Sequence, residues 1–142
     1  MVRFSGYPGT AFLPRMNTNE PEYPDALIES VIGCAYEVSN QLGAGFLEKV
    51  YERALASELG LRGLNVRRQV PYRILYKGKP VGDYTADMLI ENQLIVELKC
   101  VERFSNEHMA QCLNYLKAAN LRLALLINFQ KPKVEWKRII FG

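Results

Sequence analysis

The chain is poor in the side chains that build the commonest metal and nucleophile sites, with one histidine and three cysteines in 142 residues. A single histidine, His108, argues against a multi-histidine zinc site and against a Ser-His-Asp triad. Cys34, Cys100 and Cys112 are odd in number, widely spaced and set among apolar residues. That pattern excludes a disulfide framework or a zinc knuckle and fits a reducing cytoplasm. No apolar run approaches the roughly 18 residues of a membrane span, so no membrane partner is expected. The N-terminal residues lack the apolar core of a signal peptide. Also missing are a P-loop and a Gly-x-Ser-x-Gly elbow.

What is there is the composition of an ordinary globular domain, 49% hydrophobic and 23% charged. A net charge of +3 is mildly basic and permits a polyanionic partner without demanding one. Residues 1–24, rich in Gly, Pro, Asn and Thr without periodicity, are expected to form a flexible arm, followed by one domain over residues 25–142. Met16 is a second candidate start, with residues 1–15 then an addition upstream of it.

Pro24-Asp25 reads as a helix start, with Leu27, Val31, Ala35, Val38 and Leu42 at helical spacing. Gly43-Ala44-Gly45 stops that helix. A second helix is expected from about residue 46 to 59, with Leu47, Val50, Ala54, Leu55 and Leu59 as its apolar stripe. Residues 65–76 read as a strand with a basic outer face, placed at a sheet edge by Pro71. Two further strands, a helix capped by Ser105 or Asn106 and running to about residue 119, and strands over 122–128 and 134–140 complete the order. This is an α/β layer protein with a mixed central sheet. Compactness and the exposed basic strand are compatible with a homodimer.

The most informative residues are charges inside two apolar strands: Asp87 in 84–90, and Glu97 and Lys99 in 94–101. Near-continuous hydrophobic runs of this kind indicate strands covered on both faces. Glu97 and Lys99, two apart, project from one face. An unpaired charge there costs several kcal/mol, on the order of the penalties for buried ions. If Glu91-Asn92-Gln93 is a three-residue loop, Ile90 pairs with Leu94 and Asp87 therefore faces Glu97. A two-residue loop would turn the acids to opposite faces. Opposed carboxylates repel unless a cation or a shared proton intervenes. A cation site is the expectation, and a buried ion-pair cluster is the plainer alternative.

Glu48 and Tyr51 share a face of the second helix, being three apart. Glu52, beside Lys49 and Arg53, reads as part of an exposed charged stripe. On the later helix His108, Gln111 and Tyr115 form one polar-aromatic ridge. Gly43-Ala44-Gly45 with Glu48 is only superficially like a dinucleotide fingerprint, since it follows a helix rather than a strand.

Gly45-Phe46-Leu47-Glu48-Lys49-Val50-Tyr51 matches a Gly-x-x-Glu-x-x-Tyr signature. With residues 32–38, 111–118 and 125–129, it resembles the GxxExxY family, placed in the PD-(D/E)xK nuclease-like superfamily. The resemblance covers about residues 27–140. It implies a restriction-endonuclease-like three-layer α/β core, a mixed central β-sheet flanked by helices. In it Asp87 stands for the first acid and Glu97-Leu98-Lys99 for the Glu-x-Lys. Glu48 resembles the acid on the preceding helix, and Gln111 with Tyr115 the Gln-x-x-x-Tyr of RecB-like and lambda-exonuclease-like members. Ala86 replaces the nominal proline before the first acid, a position often lost in the superfamily.

The implied activity is a metal-dependent nuclease, with DNA the favoured nucleic acid over RNA. Oxygen ligands favour Mg²⁺ or Mn²⁺ over zinc. Asp87, Glu97 and the Leu98 carbonyl are then the metal ligands, with Glu48 direct or through water. Lys99 orients the attacking water, while Gln111, Tyr115, Tyr51 and His108 face the substrate or position Lys99. Arg62, Arg67, Arg68, Arg73, Lys77 and Lys79 on one side, and Lys131, Lys133, Lys137 and Arg138 on another, are candidate phosphate contacts. A non-catalytic nuclease-fold module that binds nucleic acid or protein is the alternative. A hydrolase for a small phosphorylated molecule is a third reading.

Overall fold

A computed structural model describes residues 2–4 and 23–142. Helix α1 (Tyr23–Leu42) buries Leu27, Val31, Ala35 and Val38, the stripe its spacing predicts. Helix α2 (Glu48–Leu61) departs from expectation. Leu47 and Val50 are exposed, and the buried face is Tyr51, Glu52, Leu55 and Leu59. The reason is local. Gly45 at φ +108° turns the chain, and Leu47 is an extended N-cap outside the helix rather than its first apolar contact.

The strands are β1 (Val2–Phe4), β2 (Val66–Tyr76), β3 (Lys79–Ile90), β4 (Leu94–Lys99), β5 (Leu123–Asn128) and β6 (Glu135–Phe141), with α3 (Asn106–Ala119) between β4 and β5. They form one sheet in the order β1-β6-β5-β4-β3-β2. Only β4 and β5 pair in parallel, joined through α3, so the sheet is mixed as expected. Val2–Phe4, within the segment read as an arm, pair with β6. Tyr23 and Pro24, also read as part of the arm, open α1, while residue 1 and residues 5–22, with the candidate start at Met16, lie outside the described residues.

Helices α1 and α2 cover one face, packing on Met88, Ile90, Val96, Leu98, Leu125 and Ile127. The other face lies under α3, against Leu89, Ile95, Ala124, Leu126 and Ile139. Burial on both sides explains why β3, β4 and β5 read as continuous apolar runs. Strand β2 is the edge, where Pro71 sacrifices no central ladder bond. No described helix is long and apolar enough to cross a membrane.

Candidate active site

The turn between β3 and β4 sets the geometry. Gln93 N–H donates to Ile90 O (3.1 Å), and Glu91 and Asn92 both take positive φ, the signature of a turn that suits a twisted hairpin. The register is Ile90↔Leu94, Leu89↔Ile95 and Met88↔Val96, so the loop is the odd-length one. One step further Asp87 reaches Glu97, and there the ladder ends. Side chains close the fork: Asp87 N–H donates to Glu97 Oε1 (2.7 Å), and Leu98 N–H donates to Asp87 Oδ2 (2.8 Å).

Strand β3 loses its alternation at the same point. Met88 packs under α1 and α2, yet Ala86, two residues away, packs under α3. Across the ladder Gln69 sits at φ +51°, outside the ordinary strand region. The break frees the backbone around Leu98. Lys99 O accepts from Phe129 N–H (2.9 Å) on the β5 side. Strand alternation therefore turns the Leu98 carbonyl towards the fork, where the β3 ladder has stopped.

Burial is the main reason both acids resist ionisation. It raises Asp87 above the usual carboxylate range. Glu97 is pushed up to about 8, by burial first and by the Asp87 charge second. The Glu48 charge adds to both shifts, although Glu48 itself is exposed in the first turn of α2. The Cys100 thiol donates to Phe46 O (3.9 Å), so the loop before α2 lies beside the end of β4 and carries Glu48 to this side.

Lys99 is aimed by α3. Its Nζ donates to Gln111 Oε1 (3.1 Å), and Gln111 Nε2 donates to the Tyr115 hydroxyl (3.1 Å). Tyr115 is buried, and burial pushes its hydroxyl up, so it stays a neutral acceptor that fixes which way the Gln111 amide points. Gln111 and Tyr115, expected to face substrate phosphate or to position Lys99, are thus joined to Lys99 by hydrogen bonds.

Tyr51, an expected substrate contact, has other work. Tyr51 is 1% exposed, stacks on Phe129 at 4.7 Å, donates to Gly43 O (2.6 Å) and accepts from Phe46 N–H (3.2 Å). It ties down the glycine turn that presents Glu48 and has no free face for substrate. His108 closes a capping box with Ser105: its Nδ1 accepts from Ser105 N–H (3.1 Å), and its own N–H donates to Ser105 Oγ (3.2 Å).

Two residues escaped sequence reasoning. Glu52 is 3% exposed rather than part of a solvated stripe. Its Oε2 accepts from Arg68 Nε (3.0 Å) and Nη2 (2.7 Å), and its Oε1 from Gln69 Nε2 (2.8 Å). Gln69 Nε2 also lies 3.5 Å from Asp87 Oδ1, linking Glu52 to the fork. Asn128 is fully buried and bonds Val101 at both N–H (3.1 Å) and C=O (2.6 Å), holding the chain that leaves Lys99. Among the flanking basic residues, Arg62, Arg68, Lys131 and Arg138 are paired with Glu58, Glu52, Glu135 and Asp25. Arg73, Lys77 and Lys79 are exposed on β2, β3 and the turn between them, Arg73 in a long, exposed pair with Asp83 (3.8 Å).

The family model described as the PD-(D/E)XK nuclease superfamily matches residues 25–139. The chain belongs to the PD-(D/E)XK nuclease superfamily. The crystal structure of SSO0001 superposes with a TM-score of 0.50 at 21% identity, covering 82% of this chain. The match spans 58% of that protein's length, and at this identity it speaks for the fold alone. No curated protein matches the chain.

Members of this superfamily typically use divalent metals. The donor set fits such an ion. Each acid spends one oxygen on a backbone N–H, leaving Asp87 Oδ1 and Glu97 Oε2 as charge-bearing donors, and the Leu98 carbonyl turns the same way. Among the described residues no three acidic, histidine or cysteine side chains converge on one point. A hard cation that retains several waters suits two carboxylates and a carbonyl.

Proposed function

We propose that the protein is a Mg²⁺- or Mn²⁺-dependent nuclease of the GxxExxY branch, hydrolysing phosphodiester bonds in DNA. The observation that carries this reading is the fork itself: two opposed carboxylates, both raised by burial and Glu97 also by the Asp87 charge, with a lysine aimed beside them. A structural ion-pair cluster would satisfy both acids with cations of the chain. Among the described residues Lys99 is the one lysine or arginine whose charge lowers either acid, and its Nζ is bonded to Gln111.

When bound, a divalent ion polarises the phosphoryl oxygen and lowers the pKa of its water. Asp87, Glu97 and the Leu98 carbonyl would hold it, with Glu48 supporting it through water. Lys99 orients the attacking water and offsets the negative charge on the phosphoryl oxygens as the phosphorus becomes five-coordinate. Gln111 and Tyr115 keep Lys99 in place, so that little reorganisation is needed at the moment of attack. Arg73, Lys77 and Lys79 offer phosphate contacts on the exposed side.

The test is cleavage of labelled DNA in Mn²⁺ by wild type, Asp87→Ala and Lys99→Ala, with folding followed by circular dichroism. Both variants are expected to be folded and inactive. Full specific activity in either would contradict the assignment.

A further inference from the structure

One face of α3 runs from the site out to the end of the β2–β3 hairpin. Gln111, Asn114 and Ala118 lie along it at helical spacing, with Lys117 beside them. Two adjoining open grooves follow this face, one reaching Gln111 and His108, the other Arg73 and Lys117. Tyr84 and Asn114 line both and join them into one path.

Tyr84 stands at the join on the part of β3 that extends beyond β4 and pairs only with β2. It is 37% exposed, and its ring is fixed. Asn114 Nδ2 lies 3.5 Å from its hydroxyl, and the Tyr115 ring meets it edge-on at 5.6 Å and 87°. Tyr115 in turn bonds Gln111, which holds Lys99. The aromatic surface is thus built into the same scaffold as the fork.

We infer that this groove binds one strand of single-stranded DNA and leads it to the fork, with a base stacked on Tyr84 and phosphates met by Lys117 and Arg73. The inference rests on the nuclease reading for the identity of its ligand. A fixed, half-open aromatic ring flanked by cations is the pairing of stacking platform and phosphate contacts that single-strand binders use. A duplex offers Tyr84 no free base face, because its bases are already stacked. Glu107, at the His108 end, is the groove's acidic residue, and Asp83 lies 3.8 Å from Arg73. The cationic pull is therefore greatest at Lys117, away from the acids.

The test is fluorescence anisotropy in EDTA with a labelled oligothymidylate of about 12 nucleotides, within the span of known single-strand sites. Tyr84→Leu is expected to weaken binding about tenfold or more, while Tyr84→Phe, which keeps the ring, binds as wild type. Lys117→Glu, on an exposed position, is expected to weaken binding and lower the salt slope by about one. Unlabelled duplex of the same length should compete poorly. Wild-type affinity in Tyr84→Leu would overturn the groove, as would duplex competing equally well. Mn²⁺-dependent cleavage of the same oligonucleotide separates the two readings. Cleavage by wild type with normal binding by Tyr84→Leu removes the groove alone. Tyr84-dependent binding without any cleavage removes the nuclease and leaves the groove.

Discussion

Neutralising Glu97 is expected to abolish a loss of stability that the metal-free protein suffers as pH rises. Burial, then the Asp87 charge, pushes Glu97 up to about 8 from an ordinary value of 4.5. Between those values the folded protein keeps a proton that the unfolded chain has released, so stability falls as pH increases. Below 4.5 both states are protonated and the effect disappears. One such proton gives a slope of about 1.4 kcal/mol per pH unit, and the full interval amounts to on the order of 4–5 kcal/mol. Against a typical total of roughly 5–15 kcal/mol, that is decisive. Asp87, raised by burial, contributes with the same sign. His108, lowered by burial, has the opposite sign: its contribution is lost as pH falls. The difference between wild type and Glu97→Gln isolates the Glu97 part, because the glutamine still accepts from Asp87 N–H. Urea midpoints in EDTA from pH 4.5 to about 8 are the assay. Wild type should lose ground to Glu97→Gln throughout, and saturating Mn²⁺ should remove the loss. A wild-type-minus-variant difference that stays flat across that window would refute the reasoning.

Two smaller perturbations probe the scaffold. Tyr51→Phe leaves Phe46 N–H and Gly43 O without their partner. It should cost about 1 kcal/mol in urea unfolding and speed hydrogen exchange at Phe46. Arg68→Met removes the main cation from Glu52, which is nearly inaccessible. Because the Arg68 side chain is 36% exposed, the cost should be roughly 2 kcal/mol, below that of a fully buried pair. Adding Glu52→Gln should recover part of it, and a double-mutant cycle by urea unfolding measures how much.

The fork was legible in the sequence because β register is discrete. With a three-residue loop, Asp87 had to face Glu97, and the structure has that loop. The layers were legible because apolar runs flanked by amphipathic helices leave few alternatives. Helix periodicity was less informative about α2. It could not tell a tyrosine that anchors a glycine turn from one that lines a cleft, since Tyr51 shares a face with Glu48 in either case. Glu52 was hidden because its partners, Arg68 and Gln69, are 16 and 17 residues away on another element. Its neighbours Lys49 and Arg53 made it look solvated. A usable signal was Arg68-Gln69 at the point where β2 loses alternation, but only the strand's positive φ reveals that break. Asn128 did carry a signal, a lone amide ending the apolar run Leu123–Ile127.

The most direct test of the metal site is calorimetric titration of Mn²⁺ into wild type and into the Asp87→Asn/Glu97→Gln double variant, with and without a DNA oligonucleotide. Binding in the wild type that the double variant lacks is the expected result. A wild type that takes up no Mn²⁺ under either condition would contradict the assignment of the fork as a metal site and leave a nuclease fold without nuclease chemistry.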